Sequence, residues 1–140
     1  MSTVVIDASV AVKWFLPEPH ADAARRLLNR KRTFLAPDLI WAEVGNVLWK
    51  RVQRAELAHE LAEQILRDFK RFPFQTYAAK ALLEPAWALA AQWRISVYDG
   101  LYLALAISRN LKLVTANQHL IEVMKGNPLS SVIVWVEHIR

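Results

Sequence analysis

Asp7 closes the apolar run VVI at residues 4–6, and Thr115 and Asn117 follow a second run, LKLV, at residues 111–114. Two further acids stand in apolar company: Glu43 in IWAEVGNVLW and Asp99 in SVYDGLYLALA. At about 100° per residue, Glu43 falls at the margin of the apolar stripe of its helix, not opposite it. Other acids, such as Glu56, Glu60, Glu63 and Asp68, sit on faces where charge is expected. Carboxylates brought together repel, and one is driven towards protonation unless a cation balances them. If Asp7, Glu43 and Asp99 converge, their all-oxygen donor set suits Mg²⁺ or Mn²⁺, with waters completing the shell. Such an ion can activate a water and stabilise charge on a phosphodiester.

Three of these positions also have a capping explanation. Asp7 can cap a helix beginning at Ala8, and Asn117 one beginning at Gln118. Ser96 and Asp99 fit a capping box. Glu43 lies about five residues into its helix, where capping does not account for it. The chain has only three glycines, and two stand by the acids: Gly45 and Gly100. Glycine inside a helix costs about 1 kcal/mol relative to alanine, so a packing or access reason is expected at both.

The elements that must position these residues alternate. TVVID reads as a strand, followed by one or two helical turns stopped at Pro17–Pro19. ADAARRLLNRK is helical, and TFLAP is a short strand ending at Pro37. A long helix starts near Asp38, with Leu39, Ile40, Val44, Val47, Leu48 and Val52 at a 3.6-residue period. A second amphipathic helix is expected over residues 55–72, and FQTYA is a weak strand. ALLEPAWALAAQW is helical, with Pro85 expected in its first turn. VYDGLYLALAISRN is apolar nearly all round and so buried. LKLVTA is a strand, QHLIEVMKG a helix closed by Gly126, and SSVIVWV a last strand. Short apolar strands alternating with helices imply a parallel sheet covered on both faces. In such sheets ligands bind beyond the carboxyl ends of the strands, where Asp7, Thr115 and Asn117 all fall.

The 140 residues are expected to form one domain, 1–140, and 54% hydrophobic composition supplies its core. With no cysteine, disulfides, thiol nucleophiles and cysteine-bound zinc are excluded. No secretory leader and no membrane-length apolar run is evident, so a cytoplasmic, non-membrane protein is expected. A net charge of +5 and a pI of about 9.8 favour an anionic partner such as nucleic acid. Basic residues cluster at 25–32, 50–54 and 67–71, either as solvated helix faces or as contacts to such a partner. His20, His59, His119 and His138 show no i, i+4 pairing, which disfavours zinc and histidine-pair chemistry. Three scattered glycines build neither a dinucleotide fingerprint nor a P-loop, and no nucleophile elbow surrounds Ser9.

VVIDASVAVKWFLPE, PDLIWAEVGNVLW, VYDGLYLALA and LVTANQHL, in this order and spacing, resemble the PIN-domain ribonucleases. The resemblance is strongest to the VapC-type toxins of toxin–antitoxin pairs and spans nearly the whole chain. It implies an α/β fold of three layers, α/β/α, with a parallel sheet of four or five strands. It implies a metal-dependent endoribonuclease using Mg²⁺ or Mn²⁺, in which Asp7, Glu43 and Asp99 match the catalytic, metal-holding acids. Ser9 and Thr115 match supporting hydroxyl positions. A homodimer and a cognate antitoxin lying across the active-site groove are also implied.

The chain departs from the family pattern at Asn117, where a fourth acid is usual. That substitution motivates a second reading, an RNA- or protein-binding module of the same fold with little turnover. Six tryptophans are many for this length, and core packing accounts for most. Trp14 with Phe15, and Trp41 with Trp49, are candidates for the antitoxin groove or dimer face.

Overall fold

The computed structural model describes residues 2–139. Five strands, β1 (Thr3–Ile6), β2 (Thr33–Pro37), β3 (Gln75–Tyr77), β4 (Leu113–Thr115) and β5 (Ile133–Trp135), form one sheet. Its order is β3-β2-β1-β4-β5, and every neighbouring pair is parallel. The central strand β1 is short, and Val4, Val5 and Ile6 are all fully buried. That is the pattern of a strand covered on both faces, and it is why these strands read as unbroken apolar runs.

Among the described residues seven α-helices cover the sheet: α1 (Ala8–Ala11), α2 (Ala21–Arg26), α3 (Leu39–Gln53), α4 (His59–Lys70), α5 (Ala79–Trp93), α6 (Val97–Arg109) and α7 (Gln118–Met124). Helix α6 is the most enclosed, with residues 100–106 all buried. Among the described residues no helix is long and apolar enough to cross a membrane.

Asp38, at the end of β2, places no side-chain cap on α3. Its carboxylate instead accepts from the Ala79 amide at 3.0 Å, so it caps α5 from across the sheet edge. The strand ends are thereby tied to the helices that leave them.

Three sequence expectations are corrected. The helix expected over residues 55–72 starts only at His59. Ala55 adopts φ 57°, a left-handed conformation that ends α3 and leaves a turn before α4. Pro85 lies inside α5, seventh from its start, and not in the first turn. The last strand covers only Ile133–Trp135, because Pro128–Val132 is a 3-10 segment capped by Asn127.

The aromatic expectations divide. Trp14 packs edge-on against Phe34 and stacks with Phe74, and its indole N–H donates to the Ala24 carbonyl at 2.9 Å. Phe15 and Trp41 both pack on the buried Phe69. These three rings are half-buried in one aromatic cluster, and Trp41 also lines an open apolar pocket with Leu66, Phe69 and Lys70. Trp49 is the exception, 52% exposed, and Trp87 is more open still at 67%.

Candidate active site

Asp7 is the first residue beyond β1, and Thr115 is the last of the neighbouring β4. Parallel pairing brings the two ends level, although they stand far apart in sequence. Thr115 Oγ1 donates to Asp7 Oδ2 at 2.5 Å, and Ser9 Oγ donates to Asp7 Oδ1 at 2.5 Å. Both hydroxyls are themselves oriented by backbone. The Asn117 amide donates to Thr115 Oγ1 at 3.0 Å, and the Ala116 amide donates to Ser9 Oγ at 2.9 Å. A hydroxyl that accepts a fixed N–H must aim its own proton elsewhere, here at the carboxylate. The turn after β4 therefore sets the orientation of an acid on β1.

Asp7 also caps α1 by accepting from the Val10 amide at 3.3 Å. The capping and site readings of Asp7 are thus compatible, since one oxygen serves both the helix and Ser9. Asn117 likewise caps α7, accepting from Leu120 at 3.2 Å, while its residue lines the same cleft as Asp7. Ser96 caps α6 by accepting from the Asp99 amide at 3.0 Å, which holds Asp99 in the first turn at the cleft.

The cleft has a volume of about 290 Å³. Asp7, Glu43 and Asp99 line it together with Ser9 and Asn117, and Thr115 stands behind Asp7, fully buried. Every acid and supporting residue singled out in the sequence is therefore gathered at one place. Glu43 reaches it from the first half of α3, and the buried Tyr102 donates to Glu43 Oε1 at 2.7 Å. Gly100 explains how α6 comes close enough. A Cβ there would lie 2.6 Å from the Ala86 carbonyl oxygen, so only glycine lets α5 and α6 cross at this point. Gly45 has no such cause: a Cβ would meet only the Leu66 side chain at 3.9 Å. The packing reason expected for both glycines holds for Gly100 alone.

The electrostatics of the cleft are those of crowded acids. Burial pushes the Asp7 carboxyl up to about 6; hydrogen bonds from Ser9 and Thr115 oppose the rise and the Asp99 charge adds to it. Glu43 is raised by burial and again by Asp99, against the Tyr102 hydrogen bond. Asp99 is raised by burial, with the Ser96 hydrogen bond and the charge of His119 acting the other way. Hydrogen bonding thus fails to offset desolvation at every one of the three.

Such a site fits a divalent cation by the chemistry of its donors: carboxylate oxygens, hydroxyls and an amide, with no sulfur. Among the described residues, no three His, Asp or Glu side chains are drawn tightly enough together to close on one ion. That spacing suits an ion held by one or two carboxylates and several waters, as Mg²⁺ prefers.

Four residues near the acids are additions to the sequence reading. Tyr102 lies one helical turn after Asp99, and Asn46 and Lys50 lie one and two turns after Glu43 along the cleft wall. His119 is felt by Asp99 from the first turn of α7. Helical spacing from Glu43 and Asp99 was the available signal for the first three. For His119 there was none, because it stands on a different helix from Asp99, 20 residues further along the chain.

Residues 4–126 match the PIN domain family, and the chain belongs to it. Within that family its relatives are VapC ribonucleases. It is 33% identical over 123 residues to Ribonuclease VapC3 of Pyrobaculum aerophilum, covering 85% of this chain and 92% of the relative. The fold is shared with the crystal structure of PAE2754 from Pyrobaculum aerophilum (TM-score 0.69, 24% identity, 96% of this chain and 84% of the other). It is shared also with a chain of a toxin–antitoxin complex from Klebsiella pneumoniae (TM-score 0.64, 17% identity, 97% of this chain and 99% of the other).

Proposed function

We propose that this VapC-type PIN ribonuclease, the toxin of a toxin–antitoxin pair, is a metal-dependent endoribonuclease whose catalytic residues are Asp7, Glu43 and Asp99. The observation that carries the reading is the convergence of those acids on one cleft, each with its carboxyl raised mainly by burial. A buried acid cluster of that kind is costly by itself and becomes favourable with a cation between its members.

Asp7 and Asp99 would hold Mg²⁺ or Mn²⁺, with Glu43 ligating it directly or through water. Bound there, the ion would supply positive charge for the phosphodiester and the means to activate a water. The chain's own groups divide the remaining work. Ser9 and Thr115 fix both oxygens of Asp7, so the carboxylate enters the reaction already oriented. Tyr102 does the same for Glu43. Asn117 offers a neutral oxygen where an acid would add charge, which favours one tightly held ion over two. Cleavage by attack of water in line would leave a 5′-phosphate and a 3′-hydroxyl.

The partners follow from the same reading: RNA as substrate, a cognate antitoxin as inhibitor, and a second copy of the chain. The antitoxin draws support from the Klebsiella pneumoniae complex and from the exposed Trp49, which borders an apolar groove between α3 and α4. A dimer draws support from the exposed Leu83 and Trp87, one turn apart on α5. Residues 1–140 are read as one PIN domain, since β5 lies beyond the matched residues 4–126 yet pairs with β4. A cytoplasmic location accords with an RNA substrate and a chain without cysteine.

The test uses partner-free protein with structured RNA in Mg²⁺ and in Mn²⁺. Cutting that EDTA abolishes, with 5′-phosphate product ends, is expected. Tight RNA binding without cutting would replace the enzyme by a binding module.

A further inference from the structure

A cleft lined by three carboxylates repels the backbone it is to cut, so its one cation has a particular interest. Glu43, Asn46, Val47 and Lys50 succeed one another along the wall that α3 gives to the cleft, at i, i+3, i+4 and i+7. Among the described residues lining the cleft, Lys50 is the only cation. It is exposed, and it enters no ion pair among the described residues. Its neighbour Arg51 is committed elsewhere, paired with Glu18, which also holds Lys13, and standing 3.9 Å from Glu56. Two adjacent basic residues thus differ in kind: one braces the fold, and one is left facing the acids' cleft.

We infer that Lys50, assisted by Asn46, holds the RNA backbone beside the reacting phosphodiester, Lys50 binding a phosphate next to the one that is cut. The inference rests on the ribonuclease reading above. Seven residues of helix separate Lys50 from Glu43 by about 10 Å along the axis. A flexible four-carbon stem carries the ammonium along the cleft, and at that distance it meets a neighbouring phosphate, not the one held at the acids. Asn46, between them, presents a neutral donor and acceptor suited to the intervening ribose hydroxyl. Lys50 is a positioning residue in this scheme and takes no part in bond making.

The experiment measures kcat, KM and the salt dependence of kcat/KM on a single-stranded RNA for wild type, Lys50→Gln, Lys50→Arg, Asn46→Ala and Lys125→Gln. Lys125 borders a separate cleft beside Trp135 and serves as the charge control. Lys50→Gln is expected to raise KM about three- to tenfold with kcat within about twofold. It should also make the slope of log(kcat/KM) against log salt shallower by about 0.7, the share of one phosphate contact. Lys50→Arg should restore both, Asn46→Ala should raise KM by less and leave the slope alone, and Lys125→Gln should match wild type. Wild-type KM and slope in Lys50→Gln would overturn the inference, as would Lys50→Arg behaving like Lys50→Gln. Failure of the wild type to cut any RNA overturns the ribonuclease reading and this inference together, and is recognised because it appears before any variant is compared.

Discussion

Thr115 donates its hydroxyl to Asp7, so the end of β4 orients the acid at the end of β1. Asp7 is only 5% exposed and Thr115 not at all, and the bond joins residues 108 apart in sequence. Neither the cap of α1 nor the entry to α7 would by itself require it. The turn at Thr115–Asn117 therefore orients Asp7 as well as starting a helix.

Thr115→Val tests that relationship while keeping the shape of the side chain. Asp7 would lose one of the hydrogen bonds that favour its ionised form, so its carboxyl should rise further. Cleavage at pH 7 is expected to fall about tenfold, and the pH at which activity reaches half its maximum should move upward. A pH–rate profile checks both.

The raised Asp7 carboxyl also fixes the sign of a stability effect. The folded chain holds this proton up to about pH 6, the unfolded chain only to about its ordinary 3.8. This contribution to stability is present in full below 3.8 and is lost as the pH rises through 6. The difference is on the order of 3 kcal/mol. Glu43 and Asp99, both raised, act in the same direction. Cation-free protein should therefore be more stable near pH 4.5 than near pH 7, and Asp7→Asn should raise Tm at pH 7 while abolishing cleavage. Thermal melts with and without Mg²⁺ follow both effects, and Mg²⁺ should stabilise wild type but not Asp7→Asn.

Tyr102→Phe removes only the hydroxyl that donates to Glu43, in a residue whose ring is buried. Cleavage is expected to drop about tenfold with Tm nearly unchanged, since the ring still fills its place. A Tm loss as large as the activity loss would assign Tyr102 to packing.

How much of this was legible in advance depended on the range of the forces involved. Short β-branched runs and the 3.6-residue period of α3 are local signals, and they gave the sheet and the strand-end placement of Asp7 and Thr115. Glu43 was legible because capping could not explain an acid inside a helix. The late start of α4 was hidden, because the left-handed Ala55 has none of the glycine or asparagine that usually marks such a turn. Pro85 inside α5 was hidden as well, since tertiary packing tolerates what helix propensity argues against. That Trp14, Phe15 and Trp41 join one half-buried aromatic cluster was hidden, because exposure is a property of the assembled layers. Gly45 and Gly100 looked alike beside their acids, and only the path of Ala86 distinguishes them.

The two glycines give a paired prediction. Gly100→Ala forces a Cβ against the Ala86 carbonyl and should destabilise by about 1–3 kcal/mol, with loss of cleavage as Asp99 is displaced. Gly45→Ala meets only ordinary contact and should be neutral or stabilise by up to about 1 kcal/mol. Denaturant unfolding of both variants gives the comparison.

Asn117→Asp restores a charge at the mouth of the cleft without disturbing the helix, because aspartate caps as well as asparagine. The metal concentration giving half-maximal cleavage should fall several-fold. If metal dependence and rate both stay at wild-type values, Asn117 acts only as the cap of α7.

The central claim is that the acids gathered at the strand ends cut RNA through a shared cation, and Asp99→Asn tests it most directly. The substitution keeps size and leaves the amide that Ser96 caps in place, so the fold should remain. The cleavage rate of partner-free protein at saturating Mg²⁺ or Mn²⁺ is predicted to fall by about 100-fold or more, with Tm unchanged or raised. A well-folded Asp99→Asn protein that cuts RNA at the wild-type rate would contradict the account.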